Sequence, residues 1–433
     1  MVYRMKLEDF LGENYYYFWS DNWCLDDKKI WFMAGAVDFL FCLDTEAKET
    51  CLIDKIPSDN LNAFRQHPRC IKIKDSIICL PDNGKDIWFY HISNGQWTNI
   101  PLECPEGIRL AYYHAWYIQK RLYVVSYGTK QIVEIDVEKE CIKNYYDFPV
   151  INDERLVDAV LIDDCIYVAS SFPVNIYKFN CSDKSLKIYK LTEIDDQIQT
   201  LCFDGNKFWL SGHCRVIYIW KEDTKAITFL NDIPNEFRIW NFSGQYKNLL
   251  NYVEKSEEAP LFVSSVSVNN YVWFIPFQTN EILYVDKDTL EIREFYIKEE
   301  NQTENDVKKQ LLKHKYLLEY IKDDRYLGLF SLKNKWVFEI DCQEMKYRIL
   351  NYELNPEMLS QIEEHLWIDS VLQIFYQNHS IYEQDGINLK TLLKCVKSKD
   401  YKRLLHREKN INTIVGKNIH CFTVTIQNPL IQR

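Results

Sequence analysis

The sequence feature that most constrains the fold is a sequence pattern that recurs with variation along the chain. It consists of an apolar strand, a short polar loop, a second aromatic-rich strand and a polar, often acidic, turn. It reads KKIWFMAGAVDFLFCLDTEAKET at 28–50 and returns as CIYVASSFPVNIYKFNCSDKS and YVWFIPFQTNEILYVDKDTLE. Its turn residue recurs at Asp44, His91, Asp136, Asn180, Lys221, Asp286 and Asp341. Successive turn residues are 47, 45, 44, 41, 65 and 55 positions apart, so the chain is built from repeats.

Repeats in the low to middle forties, with four short strands each, are typical of a β-propeller. Alignment of the second strands gives seven units: Ile30-Trp31-Phe32, Ile77-Ile78-Cys79, Leu122-Tyr123-Val124, Ile166-Tyr167-Val168, Phe208-Trp209-Leu210, Val272-Trp273-Phe274 and Leu327-Gly328-Leu329. The turns before these strands are rich in Asp, Asn, Gly and Lys, which favours tight hairpins. The sequence therefore predicts an all-β chain, a seven-bladed β-propeller of four-stranded antiparallel blades with a small helical C-terminal appendage.

Two repeat spacings exceed the others, and their extra residues have helical patterns. The longer spacing has apolar residues at i, i+3, i+4 and i+7, which is the period of an amphipathic helix: Tyr246, Leu249, Leu250 and Val253. The other contains the polar run Thr303 to Asp306 ahead of an apolar position, which favours a capped helix start. We therefore expect helical insertions near 234–256 and 300–316.

The repeat stops after residue 354, where Asn355-Pro356 favours the start of a helix. We predict a propeller domain over 1–354 and a helical, basic appendage over 355–433. Residues 386–433 hold ten Lys and Arg against two Asp and Glu, whereas the whole chain has a net charge of −11. The rest of the chain therefore carries −19. This asymmetry leaves three interpretations open: a tail lying on an acidic ring, a tail that docks a partner, or a nucleic-acid contact.

Composition restricts the environment of the chain. The first thirty residues have no charged stretch followed by an unbroken apolar one, so we expect no secretory signal. No apolar run is long enough to cross a bilayer, so no membrane association is expected. Of the fourteen cysteines, none forms a CxxC pair, and six fall within predicted strands as small core residues: Cys24, Cys42, Cys70, Cys79, Cys165 and Cys202. A reducing cytoplasm is the expected location.

The seven units resemble the broad superfamily of kelch-like and WD40-like β-propeller repeats over 20–350, and they match no single subfamily. The diglycine of kelch repeats is absent from all seven units. The pair Gly212-His213 followed by Ile219-Trp220 is similar to a WD40 unit, but its spacing is too short. The resemblance implies an architecture rather than an activity.

The first strand of each propeller blade lines the central channel, so its first residues surround the channel mouth. Aligned by the following apolar residue, these positions are all polar: Asp21, Arg69, His114, Asp158, Gln199, Ser264 and Glu319. Loops between second and third strands open on the same face and add polar side chains: Asp38, Asp82, Tyr127, His213, Arg215 and Gln278. We interpret them as a polar funnel. Its predicted ligand-binding residues are Asp21, Arg69, His114, Asp158, Gln199, His213, Arg215 and Glu319. The alternative is that such groups bond to neighbouring blades and channel water.

These features favour a non-catalytic binding or scaffolding propeller in a bacterial cytoplasm, which engages a protein partner, a polar small molecule or a glycan at the channel mouth. The alternative is a carbohydrate-active hydrolase or lyase that uses the carboxylates and histidines of the mouth. A third interpretation is a structural module that needs its neighbours for function. No metal site and no cofactor is predicted, because P-loops, GxGxxG turns and HExxH helices are absent from the sequence. Nucleic acid is disfavoured as a partner, because aromatic stacking motifs and basic glycine-rich loops are missing.

Overall fold

The fold comes from a computed structural model that describes residues 20, 22–34, 38–47, 49–57, 66–104, 108–150, 154–234, 260–277, 279, 281–300, 315–331, 337–350 and 353–354. Within these ranges the chain forms seven antiparallel sheets of four strands each, one of them extended by a fifth strand. The predicted seven-bladed propeller is confirmed. The predicted helical insertions, apart from their edge residues, and the predicted appendage over 355–433 lie outside the described residues.

Each of the first four blades takes its four strands consecutively from the chain. Blade 1 contains β1 (Trp23–Asp26), β2 (Lys29–Ala34), β3 (Phe39–Asp44) and β4 (Glu49–Lys55). Blade 2 contains β5 (Arg69–Ile73), β6 (Ser76–Leu80), β7 (Asp86–His91) and β8 (Gln96–Pro101). Blade 3 contains β9 (Tyr112–Ile118), β10 (Arg121–Ser126), β11 (Gln131–Asp136) and β12 (Cys141–Asp147). Blade 4 contains β13 (Leu156–Ile162), β14 (Cys165–Ser170), β15 (Asn175–Asn180) and β16 (Leu186–Lys190).

The remaining three blades follow the same order. Blade 5 contains β17 (Thr200–Phe203), β18 (Phe208–Ser211), β19 (Ile217–Trp220) and β20 (Ile227–Leu230). Blade 6 contains β21 (Phe262–Val268), β22 (Tyr271–Pro276), β23 (Glu281–Asp286) and β24 (Ile292–Tyr296), followed by a 3-10 turn (Lys298–Glu300). Blade 7 contains β25 (Tyr316–Lys322), β26 (Tyr326–Ser331), β27 (Val337–Asp341) and β28 (Lys346–Leu350), and a short strand follows, β29 (Glu353–Leu354).

Among the described residues, the four main strands of blade 1 and of blade 7 each come from one continuous stretch of chain, and the ring closes by contact between these two blades. The first strands of neighbouring blades contact one another around the centre, and β25 of blade 7 contacts β1 of blade 1. The strand β29 then pairs in parallel with β4, placing Glu353 opposite Glu49 and Leu354 opposite Thr50. Blade 1 is therefore contacted at its inner strand β1 by blade 7 and at its outer strand β4 by the strand β29.

The turns explain why the repeat is so regular in sequence. Between first and second strands, Asp27 and Asp163 have φ of 51° and 52°, a left-handed conformation that tight hairpins require and that Asp tolerates. At the end of the third strand, the recurrent Asp or Asn accepts backbone hydrogen bonds from the turn that follows. The Asp44 carboxylate accepts from Glu46 N and Ala47 N, both at 2.9 Å. The repeated turn residue is therefore a turn-stabilising acceptor.

The core lies between adjacent blades rather than within one blade. Its largest fully buried side chains are the indoles of Trp209 and Trp273 on second strands and of Trp220 on a third strand. Apolar residues of blades 5 and 6 form one cluster, as do those of blades 1 and 2. Five of the six cysteines predicted as core residues are buried, and Cys165 is partly buried. In the part of the chain that the structure describes, no helix is long and apolar enough to cross a membrane.

Candidate functional site

Three of the predicted mouth residues occupy the same level of three consecutive inner strands. In the pairing of first and second strands, Arg69 lies opposite Leu80 in blade 2. His114 takes the equivalent position opposite Val125 in blade 3, and Asp158 does so in blade 4. The strands of blades 3 and 4 each contain a β-bulge immediately before this level. Such bulges redirect side chains near functional sites, and here they set the level of the imidazole and the carboxyl group.

The imidazole of His114 bridges two blades. Its Nε2 lies 3.3 Å from Asp158 Oδ1, and its Nδ1 lies 2.7 Å from the hydroxyl oxygen of Tyr127. The other carboxyl oxygen of Asp158 accepts a hydrogen bond from Leu201 N at 2.7 Å. One chain of polar contacts therefore runs along the mouth from blade 3 through blade 4 to the inner strand of blade 5.

The surroundings shift the pKa values of this pair in opposite directions. Burial lowers the pKa of His114 to about 3, and the positive charge of Arg69 acts in the same direction. Burial raises the pKa of Asp158 to about 7, against backbone hydrogen bonds from Leu201 and Ala159 and the charge of Arg69. Both side chains retain some contact with the channel, at 28% and 16% exposure. Burial thus disfavours the charged form of each group.

A tyrosine in the bulge of blade 3 lies close to two guanidinium groups. The centre of the Tyr113 ring is 5.0 Å from the guanidinium carbon of Arg69 and 5.6 Å from that of Arg109. Arg69 also donates a hydrogen bond to the carbonyl oxygen of Tyr113. Arg109 binds both carboxylate oxygens of Asp82, and it donates to the Tyr113 hydroxyl. We call Arg69, Tyr113, His114, Tyr127 and Asp158 the mouth cluster.

The other predicted residues are placed elsewhere. Gln199 directly precedes β17 and donates its backbone N–H to Ser211 O at 2.8 Å. Glu319 is buried at a bulge of β25, between Leu318 and Tyr320.

Two more of the predicted residues belong to the loop between β18 and β19. The backbone N–H of His213 donates to Asp196 Oδ1 at 3.0 Å. The guanidinium of Arg215 donates to the carbonyl oxygens of Ile233 and Pro234, which follow the outermost strand of blade 5.

Thus the structure brings Arg69, His114 and Asp158 together and distributes Gln199, His213, Arg215 and Glu319 over blades 5 and 7. Asp21 and the loop residue Gln278 lie outside the described residues. The role of all these residues in ligand binding stays a prediction.

A buried contact between Asp38 and His67 at the junction of blades 1 and 2 includes a residue that sequence reasoning missed. The carboxylate of Asp38 accepts from His67 N at 3.0 Å, and its second oxygen lies 3.3 Å from His67 Nδ1. The other ring nitrogen, Nε2, lies 3.0 Å from Asp86 O. Because a carbonyl oxygen only accepts hydrogen bonds, Nε2 carries a proton. His67 belongs to a connector, where no repeat pattern identifies it.

Chemically, the mouth cluster offers a histidine, a carboxyl group and a phenol in contact, which is a set of groups able to exchange protons. Within the described ranges, no group of three or more His, Cys, Asp or Glu side chains is arranged to hold a metal ion. Sequence reasoning missed Arg109 and Tyr113. The only available signal was the unusual run of Tyr112, Tyr113 and His114 before an inner strand.

No protein-family model matches the sequence, and no curated protein matches it. Solved structures are similar in fold. A catalytically inactive variant of virginiamycin B lyase from Staphylococcus aureus is 12% identical, with a TM-score of 0.51 over 73% of this chain and 94% of that one. BamB from Moraxella catarrhalis is 10% identical, with a TM-score of 0.47 over 72% and 82%. The computationally designed protein Ika8 is 10% identical, with a TM-score of 0.48 over 76% and 86%. At these identities the likeness concerns architecture alone. The chain is a seven-bladed β-propeller, and the comparisons assign it to no narrower family.

Proposed function

We propose that this propeller is a non-catalytic binding or scaffolding protein that engages a protein partner through its channel-mouth face. The observation that carries the proposal is that Arg109, on the connector into blade 3, is both exposed and held in place. Its side chain is 48% exposed, yet Asp82 and the Tyr113 hydroxyl hold its guanidinium in place. Arginine and tyrosine are common among the residues that dominate binding energy at protein interfaces. A guanidinium that is already fixed loses little conformational entropy on binding.

Apolar groups on the same face support this proposal. Ile108, next to Arg109 on the connector, is 46% exposed. Phe172, in the loop between β14 and β15, is 54% exposed. The other strongly exposed large apolar side chains among the described residues lie on strands. Exposed apolar groups on the same face as a fixed arginine fit a protein interface.

The contacts of the mouth cluster also favour a supporting role for its polar groups. Asp158 bonds to the backbone of blade 5 and to His114 of blade 3. Such contacts hold the inner strands in register beneath the loops. The polar interior of the mouth then serves as a rigid base for a surface that binds a partner.

Site-specific photo-cross-linking tests the proposal. A photoreactive amino acid replaces Ile108 in one chain and Ile321 in another, because Ile321 is equally exposed, at 43%, but lies at the opposite end of an inner strand. We expect a cross-linked partner from position 108 and none from position 321, with loss of the cross-link in Arg109→Glu. Cross-links from position 321 alone, or from position 108 unaffected by Arg109→Glu, would count against the mouth face.

A second candidate function, a lyase-type enzyme, is favoured by one observation: the contact between His114 and Asp158 with their opposed pKa shifts. A neutral imidazole could accept a proton, and a protonated carboxyl group could donate one. Glycoside hydrolysis by two carboxylates has less support. Asp82, the carboxylate that contacts Tyr113 of the mouth cluster, is already bound to Arg109. The test is a panel of acidic polysaccharides monitored by ultraviolet absorbance for an unsaturated product. Turnover that disappears in His114→Gln would favour the enzyme, and turnover unchanged in that variant would reject this site.

A further inference from the structure

The inner strands of blades 1 and 2 bring two thiols into contact across the blade junction. Cys24 lies on β1 and Cys70 on β5, 46 residues further along the chain. Their sulfur atoms are 3.6 Å apart, and the Cys24 thiol donates to Cys70 O at 2.9 Å. The two side chains therefore face each other across a junction between blades.

The side-chain amide of Asn22 holds the two strands at this position. Its Nδ2 donates to Cys70 O at 2.8 Å, and its Oδ1 accepts from Cys70 N at 3.2 Å. A disulfide has an S–S bond of about 2.0 Å, so the two sulfur atoms need to approach by about 1.6 Å. The amide already holds the backbone of Cys70 against the strand that carries Cys24.

A third thiol nearby pairs differently. Cys79 is the cross-strand partner of Cys70 within blade 2, and its sulfur atom lies 3.4 Å from the sulfur of Met33. Within the described residues, Cys24 is thus the thiol that contacts the sulfur of Cys70 from another blade. We propose that Cys24 and Cys70 form a disulfide that locks blade 1 to blade 2 when the protein meets a peroxide.

The chemistry takes two steps. Hydrogen peroxide oxidises the Cys24 thiol to a sulfenic acid, with cleavage of the O–O bond and release of one water molecule. The Cys70 sulfur then attacks the sulfenic sulfur and gives its proton to the departing hydroxyl group, so the S–S bond forms, the S–O bond breaks and a second water molecule leaves. Cys24 is the more accessible of the two, at 9% exposure against 1%. The hydrogen bond with Cys24 and burial raise the pKa of Cys70, so Cys70 starts the second step as a thiol and must lose its proton as the S–S bond forms.

The position of the pair gives the bond a structural effect. Blade 1 is the blade at which the ring closes, through β25 against β1 and β29 against β4. A disulfide would add a covalent link from β1 to β5, on the other side of the same blade. By closing a loop in the unfolded chain, it would also reduce the entropy of that state.

Peptide mapping of the full chain tests the proposal. The reduced protein is treated with hydrogen peroxide, free thiols are alkylated, and peptides from digestion without reductant are analysed by mass spectrometry. We expect a peptide pair joined through Cys24 and Cys70, lost in Cys24→Ala and retained in Cys79→Ser. The exposed thiols of Cys51 and Cys214 report that the oxidant acted.

Two results would overturn the proposal without any need for the variants to fold. One is recovery of Cys24 and Cys70 as alkylated thiols in wild-type protein whose Cys51 and Cys214 are oxidised. The other is a link from Cys70 to Cys79. A second measurement compares the urea midpoints of oxidised and reduced wild-type protein. We expect a higher midpoint after oxidation and no such shift in Cys24→Ala, whereas equal wild-type midpoints would contradict a locking role.

Discussion

His114 Nε2 lies 3.3 Å from Asp158 Oδ1, so the inner strands of two neighbouring blades share a titratable contact at the channel mouth. Burial lowers the pKa of the histidine and raises that of the aspartic acid. Between about pH 3 and pH 7, the folded pair of His114 and Asp158 holds one proton in total. The unfolded chain also holds one proton on these two groups near pH 5, because histidine is then charged and aspartate ionised. The contact therefore contributes little pH dependence while both partners are present.

Removal of either partner is expected to expose the pH dependence of the other. In His114→Gln, the raised pKa of Asp158, about 7 against 3.8, means that the folded state holds its proton longer, so stability falls as pH rises from about 4 to 7. In Asp158→Asn, the lowered pKa of His114, about 3 against 6.5, means that stability falls as pH drops from about 6.5 toward 3. Each slope is at most about 1.4 kcal/mol per pH unit. Urea unfolding followed by tryptophan fluorescence measures both.

The double variant is the matched control for these slopes. With both groups replaced, no proton is exchanged at this contact, so its pH profile in the same window should be as flat as that of the wild type. Parallel profiles for the two single variants would contradict opposed pKa shifts.

The buried pair of His67 and Asp38 makes a second prediction. His67→Leu leaves the Asp38 carboxylate, with 5% of its side chain exposed, without the imidazole beside it. A buried polar group that loses its hydrogen-bond partner typically destabilises a protein by about 1–3 kcal/mol. We expect a loss of that size in the free energy of unfolding from urea titration. The double variant His67→Leu/Asp38→Leu should recover part of it, because no buried carboxyl group is left without its partner. A single variant as stable as the wild type would show that the pair contributes nothing.

The blades could be predicted from the sequence because they repeat, whereas the residues of the bulge in blade 3 and of the connector before blade 2 could not. Turn residues such as Asp44 recur because each caps a turn, so the period reveals the blades. Alignment also placed His114 and Asp158 at one level, because inner strands begin at the same point of each repeat. Tyr113 and His67 escaped notice because they belong to a bulge and a connector. The bulge of blade 3 adds Tyr113 to the strand pattern, but the equivalent bulge of blade 4 adds Val157, so the repeat does not predict an aromatic residue there. The connector that carries His67 is not part of the repeat.

Truncation separates the ring from the basic segment. Deletion of 386–433 should leave the urea midpoint unchanged, because the last strand that contacts the ring in the described residues, β29, ends at Leu354. A chain that ends at Leu350 is the matched comparison: it lacks β29, so its midpoint should be lower. Equal midpoints for the two truncations would show that β29 does not stabilise blade 1. If a partner cross-linked at position 108 is lost on deletion of 386–433, the segment takes part in docking.

The last prediction concerns Gly328, which occupies the central position of a second strand where the other blades carry a larger side chain. Its cross-strand partner Tyr320 fills the space instead, and a Cβ atom on Gly328 would overlap the Tyr320 ring. The ring is held there, because its hydroxyl donates to Glu339 Oε2 at 2.9 Å. Gly328→Ala should therefore destabilise blade 7 by about 1–3 kcal/mol, measured by urea unfolding.

A swap variant is the control for Gly328→Ala. On the third strand of blade 7, Glu339 lies opposite Gly328. In blade 3 the equivalent pair is Tyr123 and Glu134, so a tyrosine on the second strand is compatible with a glutamate opposite it. Tyr320→Ala/Gly328→Tyr moves the ring from the first strand to the second and should be more stable than Tyr320→Ala alone. If Gly328→Ala unfolds at the wild-type midpoint, the Tyr320 ring moves aside without penalty, and the glycine is not required by packing.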